Sequence, residues 1–195
     1  MSEYFMMLAD VDATPSQAEG IVRAVLDRFR NLGLITGDAD PDFVYGGPRY
    51  RPGHALAELY EYDKHRSPFW ETYNCSLEFN ANRYFNGWAL NLSEKGFICP
   101  ACGAAPFDPG DAWKSIGKAV EEWMDESGPS LVPCPECRKT YSITEWRHDP
   151  PLGFCNVSFT FWNWPPFDSP PWKIDIPWIV RDITGHTIVI TYGRI

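Results

Sequence analysis

The first part of the chain carries two clear hydrophobic patterns. Residues 3–9 form a short, mostly apolar run, which is typical of a strand buried on both faces. Between residues 18 and 32 apolar positions recur at helical spacing, and residues 14–17 have the sequence of a capping box with proline at the first helical position. Gly33 is placed to end this helix. We therefore predict a strand followed by an amphipathic helix.

The same order of patterns returns near the other end. Residues 155–161 alternate between apolar and polar, as expected for a strand with one buried face. Asp175 can cap a helix that has Pro177 in its first turn and ends at Gly185. Residues 186–192 are rich in β-branched side chains. This part predicts a strand, a helix and a strand.

The middle of the chain gives shorter signals. Residues 34–36 and 43–45 are candidate strands, and residues 55–60 a candidate short helix. Residues 73–79 alternate as a half-buried strand should, and Asn86 with Gly87 predicts a hairpin turn. Together the patterns predict an α+β fold: a ferredoxin-like split βαβ sheet with its helices on one face. Residues 1–95 and 147–195 would form this domain, and residues 96–146 an inserted module.

Two matching cysteine motifs lie in that inserted module. Cys99 and Cys102 enclose Pro-Ala, whereas Cys134 and Cys137 enclose Pro-Glu. Both sulfurs of such a turn point to one spot, and the proline stiffens the bend. Four thiolates match the tetrahedral coordination of Zn²⁺, so the spacing predicts a structural zinc site. Such a site contributes about 10 kcal/mol to folding.

Three other chemistries use the same spacing. A redox CxxC begins a helix, but residues 103–106 (Gly-Ala-Ala-Pro) are poorly suited to that. Disulfides need an oxidising compartment, and the first residues show no signal segment. Iron in a four-sulfur site fits the same geometry, so the sequence leaves the choice between zinc and iron open.

Residues 96–146 resemble a zinc ribbon, a family of small β-hairpin modules in which two CPxCG turns face each other across a metal. The resemblance rests on the four cysteines and two prolines and covers about a quarter of the chain. Arg138 departs from it, because the second turn usually has glycine there. The resemblance implies a bound metal and leaves the function open, since zinc ribbons bind nucleic acid, bind protein or stabilise a fold.

A second departure is the distance between the motifs. Residues 103–133 separate them, more than the usual 15 to 20 or so. Within this stretch, between Asp111 and Glu126, apolar residues recur at helical spacing, which predicts an inserted amphipathic helix. These residues are Trp113, Ile116, Val120 and Trp123.

Composition narrows the class of partner. The chain has 195 residues, 44% of them hydrophobic, which suffices for a packed core. No apolar run is long enough to cross a bilayer, and with no signal segment we expect a cytoplasmic protein. The net charge of −9 repels phosphate backbones and favours a basic partner.

Acidic residues cluster beside a tryptophan on the inserted helix. They suggest a surface for a basic protein, as in small immunity-like proteins that neutralise toxins. The candidate partner-binding residues are Glu121, Glu122, Trp123, Asp125 and Glu126. The plainer interpretation, in which the acids form the solvent face of an ordinary helix, stays open.

The alternative function is nucleic-acid binding through the ribbon, with stacking by Tyr141 or Trp146. Phosphate contacts would come from Lys114, Lys118, Arg138, Lys139 and Arg147. The overall negative charge disfavours it.

Catalytic motifs are missing from the sequence. The four histidines stand apart, and the chain has no GxSxG, HExxH, GxGxxG or GxxxxGK[ST] sequence. A non-enzymatic role is therefore favoured, although a site assembled from distant residues would leave no local trace.

Overall fold

The architecture of the protein is mixed α+β, as predicted. The computed structural model describes residues 3–40, 49–63, 65, 67–72, 74–85, 96–107, 112–148, 153–168 and 172–194. The elements are, in chain order, β1 (Tyr4–Asp10), α1 (Ala18–Asn31), α2 (Leu56–Leu59), α3 (Phe69–Thr72), β2 (Ser76–Asn80), β3 (Tyr84–Phe85), β4 (Phe97–Ile98), α4 (Ala112–Met124), β5 (Leu131–Pro133), β6 (Thr140–Ser142), a 3-10 turn (Ile143–Glu145), β7 (Arg147–His148), β8 (Phe154–Cys155), β9 (Val157–Trp162), α5 (Ile176–Thr184) and β10 (Ile188–Arg194).

The main sheet has four strands in the order β10-β1-β9-β2, and each neighbouring pair is antiparallel. It follows that β1 and β2 run parallel with β9 between them, and that β9 and β10 run parallel with β1 between them. The path from β1 to β2 contains α1, and the path from β9 to β10 contains α5. The sheet is therefore built from two interleaved strand-helix-strand halves.

Both long helices of these halves pack on one face of the sheet. Met6 and Leu8 of β1 share a core with the apolar stripes of α1 and α5. Phe29 of α1 meets Phe159 and Phe161 of β9 edge-on, with ring centroids 6.3 and 6.0 Å apart. The local signals for α5 are confirmed, because Asp175 accepts a hydrogen bond from the Trp178 N–H and Gly185 has a φ of 69°.

The opposite face of β1 is also buried, as its apolar run predicts. Phe5, Met7 and Ala9 form a smaller core with Cys155. A Cβ at Gly193 of β10 would collide with the Phe5 ring, so glycine is required where this ring covers the sheet.

A second large core lies between α4 and the short hairpins. Ile116 and Val120 of α4 are buried there against Phe97, Val132 and Ile143. The short ladders are β4 with β7 and β5 with β6. Phe85 and Phe154, which stack with centroids 4.4 Å apart, also belong to this core and come from outside residues 96–146.

Some boundaries differ from the sequence patterns. The predicted capping contact forms between Thr14 N–H and Gln17 Oε1, but regular helix begins at Ala18. Residues 34–36 contribute one bridge, between Ile35 and Pro52, rather than a strand. The strand over residues 155–161 is interrupted at Asn156, whose side chain donates to Ala13 O.

The candidate strand at residues 43–45, Tyr73 at the start of the next strand, and the hairpin turn at residues 86–87 lie outside the described residues. Across the described segments, no helix combines the length and apolarity needed to span a bilayer.

Candidate metal centre

The two cysteine turns have the same backbone hydrogen bonds. In the first, Cys99 N–H donates to Ala104 O at 2.8 Å, and Gly103 N–H donates to Cys99 O at 3.0 Å. In the second, Cys134 N–H donates to Lys139 O and Arg138 N–H donates to Cys134 O, both at 2.8 Å. Each CPxC sequence thus folds into a closed turn through its own backbone.

The position after the second cysteine is left-handed in both turns. Gly103 has a φ of 72°, and Arg138 has a φ of 61°. Arg138 therefore adopts the conformation that glycine provides in the first turn, so this departure from the ribbon pattern does not alter the geometry.

The fold brings the four cysteine sulfurs together. The Sγ atoms of Cys99, Cys102, Cys134 and Cys137 all lie within 4.8 Å of one another. Cys99 Sγ is 3.8 Å from Cys137 Sγ, and Cys102 Sγ is 3.8 Å from Cys134 Sγ. These distances far exceed a disulfide bond of about 2.05 Å, and the cysteines are free. Such a cluster can hold a metal ion.

The sulfurs sit at the edge of the second core. Cys99 and Cys134 are buried within it, Cys137 is half-buried, and Cys102 is exposed. The first turn follows β4, and the second connects β5 to β6. One face of the cluster is thus enclosed by protein, and a bound ion would tie the two turns together.

Local electrostatics favour a thiolate at Cys99. Burial opposes its charged form, but the backbone N–H groups of Cys102 and Ala101 and the neighbouring thiols outweigh this and lower the pKa of Cys99 to about 7. At Cys102 the Ala104 N–H acts in the same direction, but partial loss of solvation and the other three sulfurs outweigh it and raise the pKa of this thiol to about 11. The backbone N–H groups of the first turn thus stabilise a thiolate, which is the form of cysteine that binds a metal.

The inserted helix forms, but two of its candidate partner-binding acids are engaged within the protein. Glu122 lies 3.3 Å from Lys118 Nζ, and its other carboxylate oxygen accepts the Ser130 N–H at 3.1 Å. Glu126 Oε1 lies 3.2 Å from Arg83 Nε. Glu122 thus links α4 to Ser130, and Glu126 links the segment after α4 to Arg83.

The remaining three candidates divide between interior and surface. The Trp123 ring is half-buried and meets Phe154 edge-on at 5.2 Å. Glu121 and Asp125 are exposed. Of the other residues in the predicted helical stripe, Ile116 and Val120 are buried, and Trp113 lies outside the side chains that the structure describes.

Arg83 is a structural residue that the sequence patterns did not indicate. Its Nη1 donates to Trp123 O at 2.8 Å, and its guanidinium carbon lies 5.4 Å from the centre of the Trp123 ring. Arg83 thus binds the C-terminal end of α4 across 40 residues of sequence. No local motif marks such a contact.

The residues proposed for nucleic-acid binding differ in exposure and in their partners. Lys118 is paired with Glu122, and Trp146 is only 4% exposed, which removes it as a stacking surface. Tyr141 is half-buried, and Lys114, Arg138, Lys139 and Arg147 are exposed.

His186 forms a long-range polar contact at the end of β1. Its Nδ1 lies 2.9 Å from Asp10 Oδ2, although 176 residues separate the two. Asp10 also accepts the N–H groups of Asp12 and Ala13, so it fixes the turn after β1.

No protein-family model, curated protein or solved structure matches the chain.

Proposed function

We propose that the protein binds one Zn²⁺ through Cys99, Cys102, Cys134 and Cys137, and that this zinc is structural. The convergence of the four sulfurs within 4.8 Å carries the proposal. Four protein thiolates would fill a tetrahedral site and leave no position for a substrate, as in other closed zinc sites. Iron suits the same sulfurs, and zinc is the more common ion in such structural sites.

The experiment that tests the metal is elemental analysis of the purified protein. We expect about one zinc per chain and no stoichiometric iron. Cys134→Ser should lose the metal, because three thiolates and a hydroxyl bind zinc far more weakly than four thiolates. Cys75→Ser is the matched control, since Cys75 is buried in the main core, where its thiol donates to Phe69 O and Asn163 O.

Stoichiometric iron would replace zinc in the proposal, and a protein that retains full metal after Cys134→Ser would overturn the proposed ligand set. Loss of metal in both variants would point to general unfolding. Circular dichroism of the Cys75→Ser protein would then show whether this variant is folded.

We also infer the domain organisation. The strand order of the main sheet and its two helix connections support a ferredoxin-like split βαβ domain from residues 1–95 and 147–195. Residues 96–146 would be an inserted zinc ribbon with α4 as its extra helix. The separate core around α4 supports this division, with Phe85 and Phe154 anchoring the ribbon.

For the cellular role we propose a non-enzymatic, immunity-like interaction with a basic protein in the cytoplasm. The exposed carboxylates of Glu121 and Asp125 and the net charge of −9 support it. Reversal of these charges (Glu121→Lys with Asp125→Lys) should weaken capture of the partner about tenfold or more. The control, Glu19→Lys with Glu58→Lys, changes the net charge equally at two exposed acids elsewhere.

Cross-linking of the captured partner should map to α4. Equal weakening by both double variants would show that only net charge matters and would remove α4 as the site. The alternative, nucleic-acid binding by the ribbon, predicts an affinity that falls steeply with salt and is lost on substitution of Arg138 and Lys139.

A further inference from the structure

A cavity of about 490 Å³ lies where β1 begins and β10 ends. Its walls come from separate parts of the chain: Tyr4 of β1, Tyr192 of β10, Phe69 of α3 and residues 163–166 after β9. The volume falls within the range of about 300 to 1,000 Å³ that is usual for small-molecule sites. No residue of the ribbon contributes to the described walls, so this cavity is separate from the metal centre.

The walls are mainly aromatic. Phe69, Trp164 and the two tyrosines line the space, and Phe69 packs on Trp164 with ring centroids 5.9 Å apart. Tyr4 and Tyr192 are 51% and 42% exposed, which is unusual for rings of this size. Both lie on the helix side of the sheet, because Tyr192 is paired directly with Met6. Aromatic rings attract cations through their quadrupole moment.

Asn163 holds the walls in place. It has a left-handed φ of 59°, and its N–H donates to Tyr4 O at 2.8 Å while its Oδ1 accepts the Tyr4 N–H at 3.3 Å. The same side chain donates to Asn74 O at 3.1 Å. These bonds fix the loop after β9 against β1, so little ordering is needed when a ligand enters.

A buried carboxylate stands behind this wall. Glu3 is only 6% exposed, and its Oε1 accepts from Asn163 Nδ2 at 3.3 Å. Within the part of the chain that the structure describes, no cationic side chain forms an ion pair with Glu3. Arg194, which is opposite Tyr4, already has a partner. Buried carboxylates are normally paired with a cation.

A second carboxylate, that of Asp168, lies close enough to act on Tyr192. Burial and the charge of Asp168 raise the pKa of Tyr192. None of the residues that line the described walls is cationic. With a net charge of −9, the protein as a whole also attracts positive ligands.

We propose that this cavity binds a small quaternary-ammonium cation, held by the rings of Tyr4, Phe69, Trp164 and Tyr192. The aromatic walls would contact the methyl groups. The Glu3 carboxylate does not line the cavity, but it bonds to the wall residue Asn163 and would add a favourable negative potential from behind the wall.

The test compares two ligands of equal shape on the metal-loaded full chain by calorimetry. One is choline, and the other is its neutral isostere, in which a tert-butyl group replaces the trimethylammonium group. We expect choline to bind at least about fivefold more tightly, as cation–aromatic attraction implies. Equal affinities would show a merely apolar cavity and overturn the proposal, as would failure of choline to bind.

Variants locate the site. Tyr192→Leu should weaken choline at least about fivefold, and Glu3→Gln should weaken choline while leaving the neutral isostere unchanged. Trp178→Leu is the control, because Trp178 is 56% exposed on α5 and lies outside the cavity walls. An equal loss from Trp178→Leu, or none from Tyr192→Leu, would refute the assignment. Elemental analysis for zinc does not depend on choline binding, so the metal proposal and the cavity proposal can fail independently.

Discussion

Gly103 and Arg138 occupy the same backbone position in the two cysteine turns. Each donates its N–H to the carbonyl of the first cysteine of its turn, at 3.0 and 2.8 Å, and each has a positive φ, 72° and 61°. The turn thus requires a left-handed conformation at this position and tolerates a residue other than glycine. For arginine that conformation costs roughly 1 kcal/mol or more.

The first prediction concerns this position. Gly103→Ala should lower the free energy of unfolding of the metal-loaded protein by about 1 kcal/mol, because alanine disfavours a positive φ. A Cβ at Gly103 meets no atom within 4 Å, so the cost is purely conformational. Arg138→Gly should raise the stability by a similar amount. Urea denaturation measures both changes.

Gly20 offers the matched control. It lies on the exposed side of α1, and a Cβ there also meets nothing within 4 Å. Because its conformation is helical, Gly20→Ala should stabilise by about 0.5–1 kcal/mol. Effects of the same sign at Gly20 and Gly103 would contradict the assigned backbone conformation.

The second prediction concerns the two cysteines outside the metal centre. Burial raises the pKa of Cys75 and of Cys155 to about 12, from an ordinary value of 9. At pH 8 both should remain thiols and resist alkylation in the folded protein. Chelation should make Cys99, Cys102, Cys134 and Cys137 reactive towards the reagent, and denaturant should do the same for the remaining two cysteines. Mass spectrometry counts the alkylated cysteines in each case.

The same shifts predict an alkaline loss of stability. Because the folded-state pKa is the higher one, the folded protein keeps protons that the unfolded chain loses above pH 9. The free energy of unfolding should therefore be independent of these groups below pH 9 and fall as pH rises towards 12. A Cys75→Ser, Cys155→Ser double variant should lose much of this slope. An unchanged slope would assign it to other groups.

The third prediction concerns Arg83, which binds the end of α4. Arg83→Ala removes a hydrogen bond to Trp123 O, the contact with the Trp123 ring and an ion pair with Glu126. We expect a loss of about 1–3 kcal/mol in urea denaturation. Arg83→Lys should recover little, because an ammonium group lacks the planar fork.

Glu126→Gln separates the contributions. Its side chain is 64% exposed, so the ion pair should be worth only a few tenths of a kcal/mol. A loss from Glu126→Gln as large as that from Arg83→Ala would show that the ion pair, rather than the Trp123 contacts, holds α4.

The fourth prediction concerns acid stability. The Thr187 N–H donates to Asp12 Oδ2 at 2.8 Å and lowers the pKa of Asp12 below its usual value of 3.8. A lowered carboxyl pKa stabilises the fold at pH values above 3.8, and this contribution is lost as pH falls through the folded-state pKa. Asp12→Asn should flatten the acid limb of the stability curve.

Asp12→Ala distinguishes charge from hydrogen bonding. Asparagine retains an acceptor for Thr187, whereas alanine does not, so Asp12→Ala should be less stable than Asp12→Asn at neutral pH. Equal stabilities at pH 7 would show that the bond itself contributes nothing.

Local sequence was sufficient wherever one short segment supplies its own partners. The ends of α5 are set by three residues that act within one turn of the helix. Asp175 caps its start, Pro177 has a fixed φ in the first turn, and Gly185 ends it in a left-handed conformation. The CPxC turns close through their own backbone in the same way, so the four candidate ligands could be named in advance. The apolar period of α4 likewise gave its position to within two residues.

Sequence patterns were less informative where the structure depends on contacts between segments that are far apart in the chain. Residues 34–36 have strand propensity, yet the bridge between Ile35 and Pro52 is all that forms there. The acids in and just after α4 look alike in the sequence, but Glu122 bonds to the Ser130 N–H and Glu126 pairs with Arg83, whereas no such contact involves Glu121 among the described residues. Side-chain partners across a fold leave no periodic signal.

The amino-acid sequence by itself determined the three long helices, the two cysteine turns and the mixed α+β class, because hydrophobic period, capping and turn chemistry act over a few residues. Only the tertiary structure decided that the sulfurs of two distant turns meet within 4.8 Å and that Tyr4, Trp164 and Tyr192 enclose one cavity. Those distances depend on how the strands are ordered and how the cores pack, and packing joins residues that the chain keeps far apart.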